Sequence, residues 1–231
     1  MSLSKEAYTR IREAIVSGEL VFGERLSEVQ IAEALGMSKA PVRTAFFELR
    51  DKRLVTIVPQ AGTYVFSPSR EDVREMSTFR AVLETAALRL SMQAAGASVL
   101  ATLHATIKSM EGALRSADWK QYEAADMAFH QAFIRNSGNS YLPQAYDLTA
   151  SGIEALRVCL QRGAGDYREQ SFAEHQLIVQ HLEAGDLEKA AQALEAHILV
   201  INEAELDLPS KSRPRTKALS RSLDEYKRIF R

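Results

Sequence analysis

LSEVQIAEALGMSKAPVRTAFFELRDKRL, from Leu26 to Leu54, is the most informative stretch of this 231-residue chain. It parses into two short helices joined by a tight turn. Ser27, with Gln30 three residues on, has the form of a capping box; Ile31, Ala32 and Leu35 give the first helix one apolar side, and Gly36 supplies its C-terminal stop. Ser38 stands where it would cap the second helix. Pro41 falls in that helix's first turn, where its missing N–H costs nothing, and Val42, Ala45, Phe46 and Leu49 make the apolar stripe. Lys39 and Arg43 are left on the outer face near the N-terminal end. A helix that presents cations from its first turns, behind a short helix and a glycine turn, has the geometry of an element that enters a DNA major groove.

The flanks complete a module. Leu3 to Ser17 fits an amphipathic helix with Ala7, Ile11, Ala14 and Ile15 on one face, ended by Gly18, and a loop leads from there to Arg25. After Leu54 the period changes from helical to extended: VTIVP, QAG and TYVFS read as two short strands joined by a glycine turn. Three helices and a hairpin make a winged helix over residues 1–68.

Composition narrows the remaining possibilities. A hydrophobic content of 46% is enough to bury a core. The single cysteine, Cys159, cannot form an internal disulfide, and Leu156, Val158 and Leu160 around it make it core filling. MSLSKEAYTR has no apolar signal core, and no run approaches the roughly 18 apolar residues of a membrane span, so the expected location is the cytoplasm. Charge is unevenly spread. Residues 1–68 hold nine Lys/Arg and eight Asp/Glu (net +1), residues 69–206 hold twelve and nineteen (net −7), and residues 207–231 hold eight and three (net +5). The acidic middle excludes itself from nucleic acid, and at +1 the winged helix must rely on a few well-placed cations and on two copies acting together.

IVSGELVFGERLSEVQIAEALGMSKAPVRTAFFELRDKRLVTIVPQAGTYV closely resembles the DNA-binding domain of GntR-type bacterial transcription regulators. The likeness runs for about fifty residues and includes the loop glycine, the Leu26-Ser27-Glu28 entry, the block from Ser38 to Arg43 and the wing glycine Gly62. By that resemblance Ser38, Lys39 and Arg43 are operator contacts, with Gln60 and Gly62 at the wing tip. Elementary chemistry points the same way: backbone N–H groups at the start of the second helix suit a phosphate, and a bidentate arginine–guanine pair discriminates roughly ten- to a hundredfold. The competing reading has Arg43 only pairing on a solvated face. Val29, Lys39, Ala40 and Thr44 depart from the common pattern of the family, so the operator sequence is this chain's own.

Beyond the wing, Ser69 with Asp72 again has the form of a capping box, so a helix starts with almost no linker. Turn signals divide the chain from there to residue 206 into six helices: Ser69 to Ala95, Ser98 to Ala117, Asp118 to Asn136, about Tyr141 to Leu160, Tyr167 to Ala184, and Asp186 to Leu206. The expected architecture is mostly α, a winged helix-turn-helix (1–68) followed by an all-α six-helix bundle (69–206). Residues 207–231 form a basic tail that ends with Leu219, Leu223, Tyr226 and Phe230 at helical spacing, either frayed or a short docking helix.

Polar residues on apolar faces single out a site in the bundle. Trp119, Tyr122, Phe129 and Phe133 define one stripe, and Asp126 and His130 lie within it; His175 lies on the inner face of the fifth helix and His197 on that of the sixth. Asp126 and His130, four apart, reach the same point, and the 22 residues between His175 and His197 span a Gly185 turn that brings both rings to one level. Three imidazoles and a carboxylate suit a divalent ion, Zn²⁺ first, with Ni²⁺, Mn²⁺ or Fe²⁺ as alternatives; a buried network without metal is the bland reading. His181 turns away from His175, and His104 sits at the edge of an apolar face as a boundary histidine.

These segments carry a second resemblance. AVLETAALRL, DMAFHQAFIRNSGN and EHQLIVQHLEAGDLEKAAQALEAH are similar to the FCD effector domain of the FadR-type branch of GntR regulators. In its metal-containing members an aspartate, a histidine four later and two further histidines hold the ion, positions that map to Asp126, His130, His175 and His197. A metal with one carboxylate ligand keeps positive charge and favours a small organic or sugar acid as effector. Arg80, beside the stripe of Met76, Leu83 and Ala87, is the candidate to hold that acid, against a simple pairing with Glu84 at i,i+4. The resulting expectation is a ligand-responsive repressor, homodimeric, on a near-palindromic double-stranded operator. A regulator that senses the metal itself and a metal-dependent hydrolase are the alternatives, the latter lacking a general base beside the metal.

Overall fold

The computed structural model describes residues 2–163, 167–200 and 220–231, with 159–163 described as backbone. The Cys159 side chain, the last turn of the expected sixth helix and the start of the tail lie outside the described residues. Two compact units result. One gathers Met1–Asp72, Leu148–Cys159 and Asp207–Arg231; the other gathers Val73–Asp147 and Leu160–Leu206.

In the first unit, α1 (Leu3–Val16), α2 (Glu28–Ala34) and α3 (Lys39–Asp51) surround a core of Ile11, Ile15, Leu20, Ile31, Phe46 and Leu49, all at most 3% exposed. Each large side chain buried to this degree contributes about 1.5–3 kcal/mol relative to exposure. The Ser27 hydroxyl accepts the Gln30 N–H and starts α2. Gly36, at φ +66, is the left-handed stop before α3. Ser38 occupies the cap position of α3 but makes no side-chain capping bond, unlike the expectation.

The hairpin is β2 (Val55–Val58) and β3 (Gly62–Val65), and a two-residue strand β1 (Arg25–Leu26), not foreseen from sequence, pairs with the other edge of β3. At the wing tip Ala61 N–H bonds the Val58 carbonyl, with Gln60 at φ 62, a left-handed position where glycine is usual. Gly62 follows at φ +128, and an added Cβ there would stand 3.0 Å from Arg25 Nε. The tip residue that bends the chain is therefore Gln60, while Gly62 admits the Arg25 guanidinium.

Two later segments join this unit. Arg12 on α1 donates to Ser151 Oγ at 2.8 Å and pairs with Glu154, both on α7 (Ala150–Gly163). A last helix, α10 (Leu223–Ile229), starts at a full capping box of Ser222 and Glu225 and buries Tyr226 and Phe230 in the winged-helix core.

The second unit is helical. Ser69 and Asp72 cap α4 (Arg70–Ser116), which breaks at Ala95 (φ −153, ψ 34), the expected last residue of its first half. Next come α5 (Trp119–Arg135), capped by Asp118, α6 (Tyr141–Tyr146), α8 (Tyr167–Glu183) and α9 (Leu187–Leu199). The single helix expected from Tyr141 to Leu160 is two, α6 and α7: residues 147–149 form turns, with Asp147 N–H on the Pro143 carbonyl and Thr149 accepting from Ile153. Trp119 is 42% exposed rather than part of the buried stripe, with Arg168 stacked 4.4 Å over its ring. No described helix is long and apolar enough to cross a membrane.

Candidate functional site

On α5, the fully buried Tyr122, Phe129 and Phe133 fix which face turns inward, and that face carries Asp126 (2% exposed) and His130 (0%). On α8, Ile178, Val179 and Leu182 turn His175 (0%) inward; on α9, Ala190, Leu194 and Ile198 do the same for His197 (5%). Gly185, at φ +74, lets α9 fold back along α8 within a three-residue turn, with Gly185 N–H on the Leu182 carbonyl and Asp186 N–H on that of His181. The His175 and His197 ring centroids consequently lie 4.4 Å apart.

The three rings converge through one kind of atom. His130 Nε2 is 3.2 Å from His175 Nε2 and 3.3 Å from His197 Nε2. Asp126 reaches the group through Oδ1, 3.6 Å from His175 Nε2. The opposite nitrogens of two rings are committed to carboxylates: His130 Nδ1–H donates to Glu84 Oε2 and His197 Nδ1–H to Glu174 Oε2, each at 2.7 Å. Both rings are then the tautomer whose Nε2 carries a bare lone pair. Two such lone pairs face each other at 3.3 Å in a buried setting, an arrangement that repels unless a cation sits among them. Ligand nitrogens at about 2.0–2.1 Å from a tetrahedral zinc are about 3.3–3.4 Å from one another. The three-histidine cluster is thus compatible with a divalent metal by donor chemistry and by spacing.

Electrostatics favour a neutral His130 beside an ionised Glu84. Burial pushes His130 down to about 3, although Glu84 opposes the shift. Burial also works against ionising Glu84, but Arg80, then His130, hold its carboxyl well below the usual range. Arg80 donates Nε–H to Glu84 Oε1 at 2.5 Å, with the two side chains 6% and 0% exposed. Its Nη2 is buried and has no hydrogen-bond partner among the described residues. Arg80 therefore pairs with Glu84 and also keeps donor capacity. Burial, then the Glu84 charge, pushes the nearby Tyr146 hydroxyl well above its ordinary range.

The sequence pattern marks Glu84 only as a partner for Arg80 and carries no mark for Glu174. Glu84 was findable, since it is an acid on the apolar stripe of α4 and such an acid needs a partner. Glu174 gave no periodic signal, being half-buried and adjacent to a core histidine. His104 is 53% exposed and faces Glu183 at 3.1 Å, outside the cluster.

At the winged helix, Ser38, Lys39 and Arg43 are exposed on the first turns of α3, and Gln60 is exposed at the wing tip. The unused Ser38 hydroxyl is available there. Arg43 is held by Glu28 of α2 in a bidentate pair, Nε to Oε2 at 3.0 Å and Nη2 to Oε1 at 2.8 Å, which raises its already high pKa. With its side chain 61% exposed, that guanidinium remains open to solvent.

Residues 3–65 match the family described as bacterial regulatory proteins, gntR family, and residues 75–199 match the FCD domain. A probable D-xylose utilization operon transcriptional repressor of Paenarthrobacter nicotinovorans is 30% identical over 184 residues, covering 80% of each chain. The gluconate operon transcriptional repressor of Bacillus subtilis is 24% identical over 189 residues, 80% of this chain and 77% of that one. Among solved structures, a putative GntR transcriptional regulator from Rhodococcus sp. RHA1 shares the fold with a TM-score of 0.74 at 24% identity, over 88% of this chain and 97% of the other.

Proposed function

This chain belongs to the GntR family of bacterial regulatory proteins and carries an FCD domain, and we propose that it is a cytoplasmic repressor whose grip on DNA is set by a small organic or sugar acid held at a divalent metal. The family and its named relatives are transcription regulators rather than enzymes. The observation that carries the reading is the convergence of His130, His175 and His197 through Nε2, with Nδ1 of two of them tied to carboxylates.

In this reading His130, His175, His197 and Asp126 hold the ion, which when bound would supply positive charge that attracts an oxygen ligand. Glu84 and Glu174 fix ring orientation and tautomer. Arg80 offers Nη2 to a carboxylate while Glu84 retains Nε. Two relatives are named for operons of D-xylose and gluconate use, which makes sugar acids the first class to try. At the other end Ser38 and Lys39 meet phosphates, Arg43 reads a base edge, and Gln60 and Gly62 bring the wing to the duplex. A homodimer on a near-palindromic operator supplies the affinity that a module of net charge +1 lacks alone.

Calorimetry on zinc-loaded protein with a panel of aldonic, uronic and hydroxy acids tests the effector. Binding by at least one acid, lost in His175→Ala, is the expected result; no heat from any of them sinks it. A change in operator affinity on metal removal alone, with no acid present, would instead make the ion the signal.

A further inference from the structure

Most polar contacts of the C-terminal segment fall on Glu24, Arg25 and Ser27, where the chain leaves the sheet and enters α2. Glu24 is a buried carboxylate, its side chain 0% exposed, and it accepts Val21 N–H at 3.1 Å. Its cationic partner comes from the far end of the sequence: Arg221 donates Nε–H at 2.6 Å and Nη2–H at 3.1 Å, with a further bond from Nη2 to the Glu19 carbonyl. Next, Ser220 forms a parallel bridge with Arg25 on the β1 edge of the sheet. Finally the Tyr226 hydroxyl accepts Ser27 N–H and donates to the Arg25 carbonyl, both at 3.3 Å. Tyr226 is fully buried, and burial pushes its hydroxyl up to about 12, so it stays a protonated donor. None of residues 220–230 falls within either family match.

Ser27 is the cap of α2, and the residue after it, Glu28, clamps Arg43. The order of contacts is therefore Tyr226 to Ser27, then Glu28, then Arg43 on the recognition helix. We propose that Arg221 and Tyr226 are positioning residues for operator binding: the C-terminal segment locks the head of α2 and through Glu28 sets where Arg43 points. Burying a carboxylate that pairs with an arginine 197 residues away ties the module's geometry to the presence of that segment. The inference rests on Arg43 as an operator contact, as proposed above.

The test uses the full chain and a duplex enriched by the wild-type protein from a random-sequence library. Tyr226→Phe keeps the buried ring and removes only the bridging hydroxyl. It and Arg221→Met should weaken duplex binding about three- to tenfold, as loss of one or two net hydrogen bonds predicts, at temperatures where melting curves show the protein fully folded. Arg221→Lys, which keeps the charge, should rescue most of the loss. Wild-type affinity in Tyr226→Phe and Arg221→Met, with Arg43→Ala binding lost, overturns the positioning role and leaves the Arg43 reading standing. Wild-type affinity in Arg43→Ala overturns both. A loss that merely tracks the unfolded fraction also overturns it.

Discussion

Glu84 Oε2 lies 2.7 Å from Nδ1 of His130, across 46 residues of sequence, in a pair with no solvent exposure on either side. The carboxylate fixes the imidazole tautomer and raises the ligand strength of Nε2. Glu84→Gln keeps the shape but replaces an anion with an amide that must choose which end faces the ring. Metal affinity, measured by chelator competition, should fall about 10–100-fold with helix content unchanged. Unaltered affinity would mean that the pair serves packing alone.

Arg80 holds Glu84 with one nitrogen and has another, Nη2, buried without a hydrogen-bond partner among the described residues. Removing the whole side chain would strand a buried carboxylate at a cost of about 3–5 kcal/mol, so Arg80→Ala tests stability rather than ligand binding. Arg80→Lys keeps the charge and loses the forked geometry. Acid binding by calorimetry should weaken about tenfold or more, as expected for a lost charge-assisted hydrogen bond, while the metal stays bound.

Metal should stabilise the helical unit selectively. Ion held at a free concentration about 100 times its dissociation constant adds about 2.7 kcal/mol to the folded state. Chelation should lower the melting temperature of wild-type protein by several degrees and leave His175→Ala, already without its cluster, where it was. The winged helix holds none of the proposed ligands, so hydrogen exchange at Ile31 and Leu49 should not respond.

The Arg43–Glu28 pair is solvent-facing, and breaking it should not change stability measurably. Its effect belongs to DNA binding. Arg43→Ala should abolish the preference for a selected duplex over random DNA while metal content is unchanged. Glu28→Gln, which frees the guanidinium, should raise affinity for random DNA and blur sequence preference, both readable by anisotropy over a salt series.

How much of the fold and the site was legible depended on the range of each interaction. Helical periodicity placed Asp126 and His130 on one face, and the Gly185 turn brought His175 and His197 together, because both are local geometry repeated over a few turns. The stretch around Ser27, Gly36 and Pro41 likewise announced its helices through caps and breakers. Periodicity gives a direction and not an end, so it draws Trp119 into the stripe although that residue opens the helix, where the inner face meets solvent and Arg168. The break at 147–149 leaves little trace in the sequence, because Asp147 and Thr149 are weak stop signals inside an otherwise continuous pattern. Contacts such as Arg12 with Glu154, and Glu24 with Arg221 across 197 residues, join charges whose pairing no local pattern encodes.

The histidine cluster and α3 are proposed to be the two ends of one switch. Its most direct test is the affinity of zinc-loaded protein for a selected duplex, with and without each acid of the panel, in wild type and in His175→Ala. At least one acid should shift wild-type affinity about 5–150-fold, the range of an allosteric coupling of about 1–3 kcal/mol, and the same acid should leave His175→Ala unmoved. An identical response in the two proteins, or no response to any acid in wild type, would contradict the account.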